Sequence, residues 1–322
     1  MNGRNSVLFL MSLFLVTRFR SAFFKSTLIP LELNFNQMLV SKGILKRYFS
    51  SRKPFNLITK GLCRKKDGST AKYGKCGEDS FVISQESRNT IIAVADGVGG
   101  WADHGGDSSQ VSNGFMKALK HFHQEQADYN ERLPQLLEKC FKYLISTGKM
   151  RMGTTTICAA SINHDTGFLE VSNIGDSQLV VIRDGEVVLE VEAGVWAFNS
   201  PNQIGFGLYG EPQGDIDEMN IERSLALMKG DVIVVGTDGL FDNIFVEDIA
   251  SHVERALSLE ETNEEEKMSY LVKRLVKDSY ENGLDDYYFS PFAKEAIDAG
   301  KAPSNYSGGK PDDISIIVAR VI

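Results

Sequence analysis

The sequence predicts an α+β sandwich over residues 50–322, and three observations favour this fold class. Short β-rich runs recur, most of them bounded by Gly, Asp or Asn. Amphipathic helical patterns lie between them in groups, so strands and helices do not alternate as in a doubly wound parallel sheet. No repeat or linker divides residues 55–322. We therefore expect a single domain.

The predicted strands are short runs of β-branched and apolar residues. In chain order they are Ser80–Ser84, Thr90–Ala95, Thr154–Ile162, Phe168–Asn173, Gln178–Arg183, Glu186–Val191, Asp231–Gly236 and Ile314–Val321. Asp184 and Gly185 predict a two-residue hairpin turn between two of these strands, because both positions tolerate a positive φ.

The predicted helices are segments in which apolar residues recur every three or four positions. Their apolar faces are Val111, Phe115, Ala118, Leu119 and Phe122; Leu133, Leu136, Leu137, Cys140, Phe141 and Leu144; and Met268, Leu271, Val272, Leu275 and Val276. We interpret all three faces as parts of the core.

Charge is distributed unevenly along the chain. Residues 1–66 carry thirteen Lys and Arg and one acid, Glu32, which leaves 22 basic and 42 acidic residues, a net charge of −20, in residues 67–322. So acidic a body excludes nucleic-acid binding through a general electrostatic footprint.

The four cysteines include no CxxC pair, which argues against a zinc site and gives no disulfide framework. We expect reduced thiols in the core.

Four acidic positions adjoin the ends of apolar strands: Glu78-Asp79, Asp96-Gly97, Asp238-Gly239 and Asp312-Asp313. If the strands beside the first two pair as an antiparallel hairpin, their carboxylates share one edge of a sheet. If the strands beside Asp238 and Asp312 also pair in antiparallel fashion, the carboxylates at these two positions likewise share one edge of a sheet. Two such sheets packed face to face would bring all four positions into one cleft.

Clustered carboxylates repel one another, and burying them unpaired is costly. A divalent cation removes that cost, and oxygen ligands without His or Cys suit Mg²⁺ or Mn²⁺. Gly97 allows close approach of the backbone, so its carbonyl could join the ligands. Two ions about 3.5–4 Å apart would activate a bridging water for attack on phosphorus. Asp176 and Asp184 are interpreted as turn residues.

The acidic positions belong to an ordered series of motifs that resembles the metal-dependent, type 2C protein phosphatases. The series is Glu78-Asp79-Ser80-Phe81, Ala95-Asp96-Gly97-Val98-Gly99-Gly100, Gly153-Thr154-Thr155-Thr156, Asn173-Ile174-Gly175-Asp176-Ser177, Thr237-Asp238-Gly239-Leu240-Phe241-Asp242-Asn243 and Asp312-Asp313-Ile314-Ser315. Further stretches, Gly100-Trp101 to Gln110, Phe198–Gln203, Ser290–Ala293 and Tyr306–Lys310, resemble the mitochondrial branch of this family.

The resemblance implies a four-layer αββα sandwich with two Mn²⁺ or Mg²⁺ ions between two antiparallel sheets. Asp96 would bridge both ions, and Gly97 would give its carbonyl. Asp238 and Asp312 would bind one ion, and Glu78 the other. The implied activity is hydrolysis of phosphoserine and phosphothreonine in proteins by a hydroxide that bridges the ions.

The resemblance further implies that Asp79 orients the attacking water and that residues 194–217 form a flap beside the cleft. Two positions depart from the family pattern. Gly74 stands where many members have an arginine that holds the phosphate, and Lys72 or Lys75 would have to replace it. Val98 stands where many have a histidine proposed as general acid. No acid near Met150–Met152 would hold a third ion.

Residues 1–49 are rich in Arg, Ser and large apolar residues, which is typical of a transit peptide. Arg47-Tyr48-Phe49-Ser50 resembles the mitochondrial matrix-processing pattern, with a cut after Phe49. A competing interpretation uses the ten-residue apolar run Val7 to Val16, which suits a secretory signal or a short membrane anchor. A third is an unstructured start. We favour import into the mitochondrial matrix, with no stable membrane span in the mature form.

Three hypotheses for function remain open. The leading one is a protein serine/threonine phosphatase that acts on phosphoproteins and regulates mitochondrial metabolism. The second is a two-metal hydrolase of small phosphoesters, which a comparison of phosphopeptides with metabolites would separate from the first. The third is a catalytically dead scaffold that keeps the fold, and the changes at Gly74 and Val98 give it room, whereas the retained carboxylates argue against it.

Overall fold

The computed structural model describes residues 55–125 and 131–322, so the predicted transit peptide lies outside the described residues. The strands are β1 Leu57–Arg64, β2 Ser80–Gln85, β3 Asn89–Ala95, β4 Gly153–Thr155, β5 Ile157–Asn163, β6 Phe168–Ile174, β7 Gln178–Arg183, β8 Glu186–Val191, β9 Val195–Ala197, β10 Ser200–Pro201, β11 Ile204–Phe206, β12 Pro212–Gln213, β13 Ile221–Ala226, β14 Val232–Gly236 and β15 Ile314–Val321.

The helices are α1 Ser109–Glu125, α2 Leu133–Thr147, α3 Ile216–Met219, α4 Asp238–Phe241, α5 Val246–Leu257, α6 Glu264–Gly283 and α7 Pro291–Asp298, and a 3₁₀ helix covers Gly99–His104. The longest, α6, begins with a capping box in which Asn263 and Glu266 bond each other's backbone N–H groups. Within the described ranges, no helix has the length and apolar character needed to cross a membrane.

Two five-stranded antiparallel sheets form the centre of the molecule. Their strand orders are β1-β15-β14-β7-β8 and β13-β6-β5-β3-β2. Smaller pairings involve the segment that follows β8: β9 pairs with β10, and β11 pairs with β12 and with the earlier strand β4. The predicted hairpin is confirmed, since β7 pairs with β8 and both Asp184 and Gly185 have positive φ.

Successive side chains of the central strands point to opposite faces of each sheet, and this alternation produces the layers. In β14, Val232 and Val234 pack in a cluster with α5 and α6, whereas Ile233 and Val235 pack between the two sheets. The second sheet alternates in the same way: one face of β3 packs on α1 and α2, and the other lies between the sheets. The order is therefore helix, sheet, sheet, helix, which confirms the predicted αββα sandwich.

The sequence pattern missed the helices α3, α4, α5 and α7, the short strands β9 to β12 and two edge strands. β1 and β13 both lie at sheet edges, where the exposed face carries no apolar signal. In β1, Gly61 is required because a Cβ there would lie 2.5 Å from the Phe81 ring. The predicted strand Thr154–Ile162 is divided at Thr156 into β4 and β5, which belong to different sheets.

A disulfide joins Cys63 and Cys76, which corrects the expectation of four reduced thiols. Their Cα atoms lie 5.5 Å apart across a sequence separation of 13, a spacing that matches no cysteine motif. Cys63 lies in β1, and Cys76 stands two residues before Glu78, so the bond joins the edge strand to the segment that carries the first acidic motif. Cys140 and Cys158 are free and buried, as predicted, and burial raises the pKa of both thiols.

Candidate metal centre

The β2–β3 hairpin brings the first two acidic positions together. Ser80 pairs with Ala95 in the ladder, so Asp79 and Asp96, one residue beyond each, lie side by side at the edge of the sheet. The predicted antiparallel pairing of these strands is confirmed.

The other sheet brings its acids to the same edge through three strands. β14 is hydrogen-bonded to β15 on one side and to β7 on the other. Asp238 lies two residues after β14, and Asp312 lies two residues before β15. Gln178 of β7 pairs with Gly236 of β14, so Asp176, two residues before Gln178, lies opposite Asp238.

The sheets face each other so that three carboxylates converge. One oxygen each from Asp96, Asp176 and Asp238 lies within 4.8 Å of the other two. Asp176 occupies the turn between β6 and β7, as predicted, but its carboxylate also joins this cluster, which the sequence analysis did not foresee. The antiparallel argument applied to Asp79 and Asp96 would have found it, had β7 been paired with β14.

Several buried oxygen atoms at this acidic edge are without a hydrogen-bond partner among the described residues. In the described part of the chain, Asp79 Oδ1, Asp176 Oδ1 and Asp238 Oδ1 are buried and have no hydrogen-bond partner. An orphaned buried carboxylate oxygen is costly unless a charge or donor satisfies it. A divalent ion that prefers oxygen ligands fits these residues, as Mg²⁺ and Mn²⁺ do.

Asp79 is held from the opposite sheet. Its Oδ2 accepts a hydrogen bond of 2.8 Å from Thr237 Oγ1, which in turn accepts one of 3.0 Å from the backbone N–H of Ser315. Because Asp79 is 1% exposed, burial raises its pKa well above the ordinary value, and Asp313 and Asp238 raise it further.

Asp96, Asp176 and Asp312 also have raised pKa values, for the same reasons. Burial and then Asp238 raise the pKa of Asp96 well above its usual range. Burial and then Asp238 raise the pKa of Asp176 to about 8, although Lys310 opposes the shift. Burial and Asp238 also raise the pKa of Asp312. Mutual repulsion of this kind is what a bound divalent cation would remove.

Glu78 and Gly97 are the two remaining residues of the predicted ligand set, and Glu78 is not one of the three carboxylates that converge. Glu78 Oε2 lies 3.8 Å from Lys66 Nζ, and burial raises the Glu78 pKa more than Lys66 lowers it. Gly97 is buried, and a Cβ at this position would lie 2.6 Å from the carbonyl oxygen of Glu78. Only glycine therefore allows the backbone to lie this close to the acidic edge.

Asp312 and Asp313 have separate surroundings although they are adjacent. Asp313 accepts hydrogen bonds of 2.7 Å from the backbone N–H groups of Lys66 and Glu78, so both of its oxygens are occupied. Asp312 Oδ1 accepts a hydrogen bond of 2.9 Å from Lys66 Nζ. Asp313 therefore fixes the segment that carries Glu78, and Asp312 faces the cluster.

Lys310 also enters the cluster, and the sequence analysis did not predict this role. Its Nζ lies 2.5 Å from Asp238 Oδ2 and 2.6 Å from Asp242 Oδ2. Burial alone would lower the pKa of Lys310, but Asp238 and Asp242 raise it well above its ordinary value. Burial raises the pKa of Asp242 to about 7 even though Lys310 opposes the shift.

Of the two departures from the family pattern, Gly74 has a structural explanation. A Cβ on Gly74 would lie 2.2 Å from the carbonyl oxygen of Gly77, so no side chain fits there without movement of the backbone. Lys72 and Lys75 are exposed. His104 is the histidine nearest in sequence to Val98. It is also exposed, and it lies at the end of the 3₁₀ helix with its ring 6.4 Å from that of Trp101.

Comparison with known proteins places this arrangement among phosphatases. The sequence model of the family described as "Stage II sporulation protein E (SpoIIE)" matches residues 86–289. Protein phosphatase PTC7 homolog of Homo sapiens is 30% identical over 273 residues, which cover 83% of this chain and 88% of the human protein. Protein phosphatase 2C homolog 7, mitochondrial, of Saccharomyces cerevisiae is 32% identical over 293 residues, 83% of each chain.

Solved structures agree in fold. The photosystem II phosphatase PBCP superposes with a TM-score of 0.70 at 28% identity and covers 83% of this chain and 99% of its own. The catalytic domain of the serine/threonine phosphatase PstP, solved with two manganese ions, gives a TM-score of 0.53 at 18% identity, with 83% of this chain and all of that domain covered. At that identity the second likeness concerns the fold alone.

Proposed function

The chain belongs to the type 2C family of protein serine/threonine phosphatases, in the group of the PTC7 homologues, and we propose that it releases phosphate from phosphoserine and phosphothreonine with the help of two Mn²⁺ or Mg²⁺ ions. The observation that carries the proposal is the convergence of Asp96, Asp176 and Asp238, with buried oxygens that have no partner among the described residues.

We assign the metal ligands to this chain's own residues as follows. Asp96 and the Gly97 carbonyl lie at the edge of one sheet, and Asp238 and Asp312 lie at the edge of the other. Glu78 approaches from the segment before β2. When bound, the ions would supply a hydroxide nucleophile at neutral pH and neutralise the charge on the phosphoryl group.

Asp79 is proposed to orient the attacking water. Its Oδ2 is occupied by Thr237 Oγ1, whereas its buried Oδ1 is free to accept a hydrogen bond. Because Ser315 N–H fixes Thr237 in turn, the carboxylate cannot rotate without breaking a buried hydrogen bond. Such a fixed acceptor aims the lone pair of the water toward phosphorus.

Residues 194–217 are proposed as the flap that contacts the protein substrate. Leu208 and Tyr209 of this segment are exposed, and they line a cavity of about 480 Å³ together with Lys72, Asp107 and Arg151. Lys72 and Arg151 thus place two positive charges at this cavity, although residues 67–322 are acidic as a whole. Peptide residues on either side of a phosphorylated serine could occupy this groove while the phosphate lies at the carboxylates.

The experiment compares phosphate release from a phosphothreonine peptide with and without Mn²⁺. We expect metal-dependent release that Asp238→Asn lowers by at least about 100-fold, whereas Asp103→Asn, an exposed acid on the 3₁₀ helix, keeps it. Equal turnover of para-nitrophenyl phosphate and the peptide would favour the small-phosphoester hypothesis. A folded protein that releases no phosphate at any Mn²⁺ concentration would refute the proposal.

We also propose that residues 1–49 direct the chain to mitochondria and are removed. Support comes from the basic, acid-poor composition and from the yeast relative, whose name describes it as mitochondrial. Incubation of the full chain with isolated mitochondria should yield a protease-protected product that begins at Ser50, and Arg47→Ala should prevent this cleavage. A product that stays full-length, or that appears only in secretory membranes, would contradict the assignment.

A further inference from the structure

The ammonium group of Lys310 lies inside the acidic cluster rather than at its rim. It is 2.5 Å from Asp238 Oδ2, 2.6 Å from Asp242 Oδ2 and 3.8 Å from Asp312 Oδ2. The Lys310 side chain is 19% exposed, and its Nζ stands 5.5 Å from the centroid of the Phe292 ring. A cation in this position neutralises the same carboxylates that would otherwise attract a divalent ion.

The backbone holds Lys310 in this position. Its N–H donates a hydrogen bond of 2.8 Å to Asn243 Oδ1, and its carbonyl accepts one of 2.9 Å from Asn243 Nδ2. Asn243 is 1% exposed, and its Nδ2 also donates to the Gly239 carbonyl. These hydrogen bonds fix the backbone of Lys310 beside the cluster, and the ion pairs with Asp238 and Asp242 hold its ammonium group there.

The two oxygens of Asp238 are used differently. Oδ2 is paired with Lys310, whereas Oδ1 is buried and has no partner among the described residues. Lys310 Nζ joins the paired oxygen to Asp242 Oδ2, and one oxygen of Asp238 lies within 4.8 Å of oxygens of Asp96 and Asp176. The cluster is thus divided into a part that is already neutralised and a part that still needs a cation.

We propose that the Lys310 ammonium is a built-in counter-cation for Asp238 and Asp242 and limits the number of divalent ions that the cluster binds. The proposal rests on the proposed metal centre. In it, the divalent ions would be held by Asp96, Glu78, Asp312 and the free oxygen of Asp238, next to Asp176. The side of Asp242 takes no further divalent ion while the lysine is present, because a protein-bound ammonium and a divalent cation repel each other across a few ångströms.

The test counts Mn²⁺ ions per chain by equilibrium dialysis and elemental analysis, in the full-length wild-type protein and in Lys310→Met. Methionine is unbranched and one atom shorter than lysine, and it removes the charge. We expect two ions in the wild type and three in the variant, because removal of the ammonium leaves Asp238 and Asp242 uncompensated. Lys294→Met, which removes an exposed lysine paired with Asp298, is the matched control and should bind two.

A second readout is the stability of the metal-free protein in EDTA. Lys310→Met should lower the unfolding midpoint far more than Lys294→Met does, and saturating Mn²⁺ should restore it. If the variant does not fold without metal, it is refolded in Mn²⁺ and its ions are counted: three supports the proposal, and two overturns it. Three ions in the wild type also overturn it. Wild-type protein that binds no Mn²⁺ refutes instead the metal centre on which the proposal rests.

Discussion

Replacing Asp176 by Asn should change how the stability of the metal-free protein depends on pH. The pKa of Asp176 is about 8 in the folded protein and ~3.9 for an aspartate in an unfolded chain. The folded state therefore binds more protons than the unfolded state between about pH 4 and about pH 8. By linkage, stability is highest below this window and is lost as the pH rises through it.

The size of the change in stability follows from the shift in the pKa of Asp176. About four pKa units at ~1.4 kcal/mol each set a ceiling of about 6 kcal/mol. The pKa of about 8 already includes the opposing effect of Lys310, but water that enters the cleft will reduce the repulsion from Asp238. We therefore expect the metal-free wild type to lose roughly 2–4 kcal/mol between pH 5.5 and pH 8.5. Asn has the same size and cannot ionise, so Asp176→Asn should lose clearly less.

Urea unfolding in EDTA at these two pH values measures the difference. Asp103→Asn is the matched control, since Asp103 is exposed, and it should follow the wild type. Addition of Mn²⁺ should stabilise the wild type more at pH 8.5 than at pH 5.5, because the ion competes with protons for the carboxylates. The reasoning fails if the metal-free wild type is equally stable at both pH values, or if Asp176→Asn loses as much as the wild type.

Three further predictions concern the segments that support the site. Cys63→Ser should lower the free energy of unfolding by about 3 kcal/mol, because it opens a closed loop of 13 residues; urea unfolding of the oxidised wild type with and without a reductant should reproduce the loss. Gly77→Ala should lower both stability and Mn²⁺ affinity, because Gly77 has φ +79° and a Cβ there would lie 2.1 Å from Asp313 Oδ1; unchanged calorimetric affinity would contradict this. Asp231→Ala removes the fully buried partner of an arginine and should cost about 3–5 kcal/mol, against less than about 1 kcal/mol for Asp165→Ala in an exposed pair; equal losses would contradict the argument from burial.

The sequence predicted those parts of the site that depend on a single hairpin or on neighbouring strands. Asp79 and Asp96 are brought together by β2 and β3, which are separated by three residues, so local pattern and the antiparallel rule were sufficient. Asp238 and Asp312 required the pairing of two strongly apolar strands, which the composition of β14 and β15 made plain.

The parts that were missed depend on long-range packing. Asp176 joins the cluster only because β7 is the neighbour of β14, and sheet order cannot be read from periodicity. Lys310 reaches Asp238 across a separation of 72 residues, and nothing in its local sequence distinguishes it from a surface lysine. The disulfide was missed because its half-cystines lie on an edge strand and an irregular loop, where spacing gives no signal.

The position of β15 has a consequence for the order of events during biosynthesis. β15 lies between β1 and β14 in its sheet, and it pairs with both along most of its length. Until residue 321 has left the ribosome, β1 has no neighbour in that sheet and Asp312 is not opposite Asp238. At ~5–20 residues per second, synthesis of this stretch takes on the order of tens of seconds. During that time the nascent chain has an incomplete sheet, and its acidic residues have not yet been brought together at one edge.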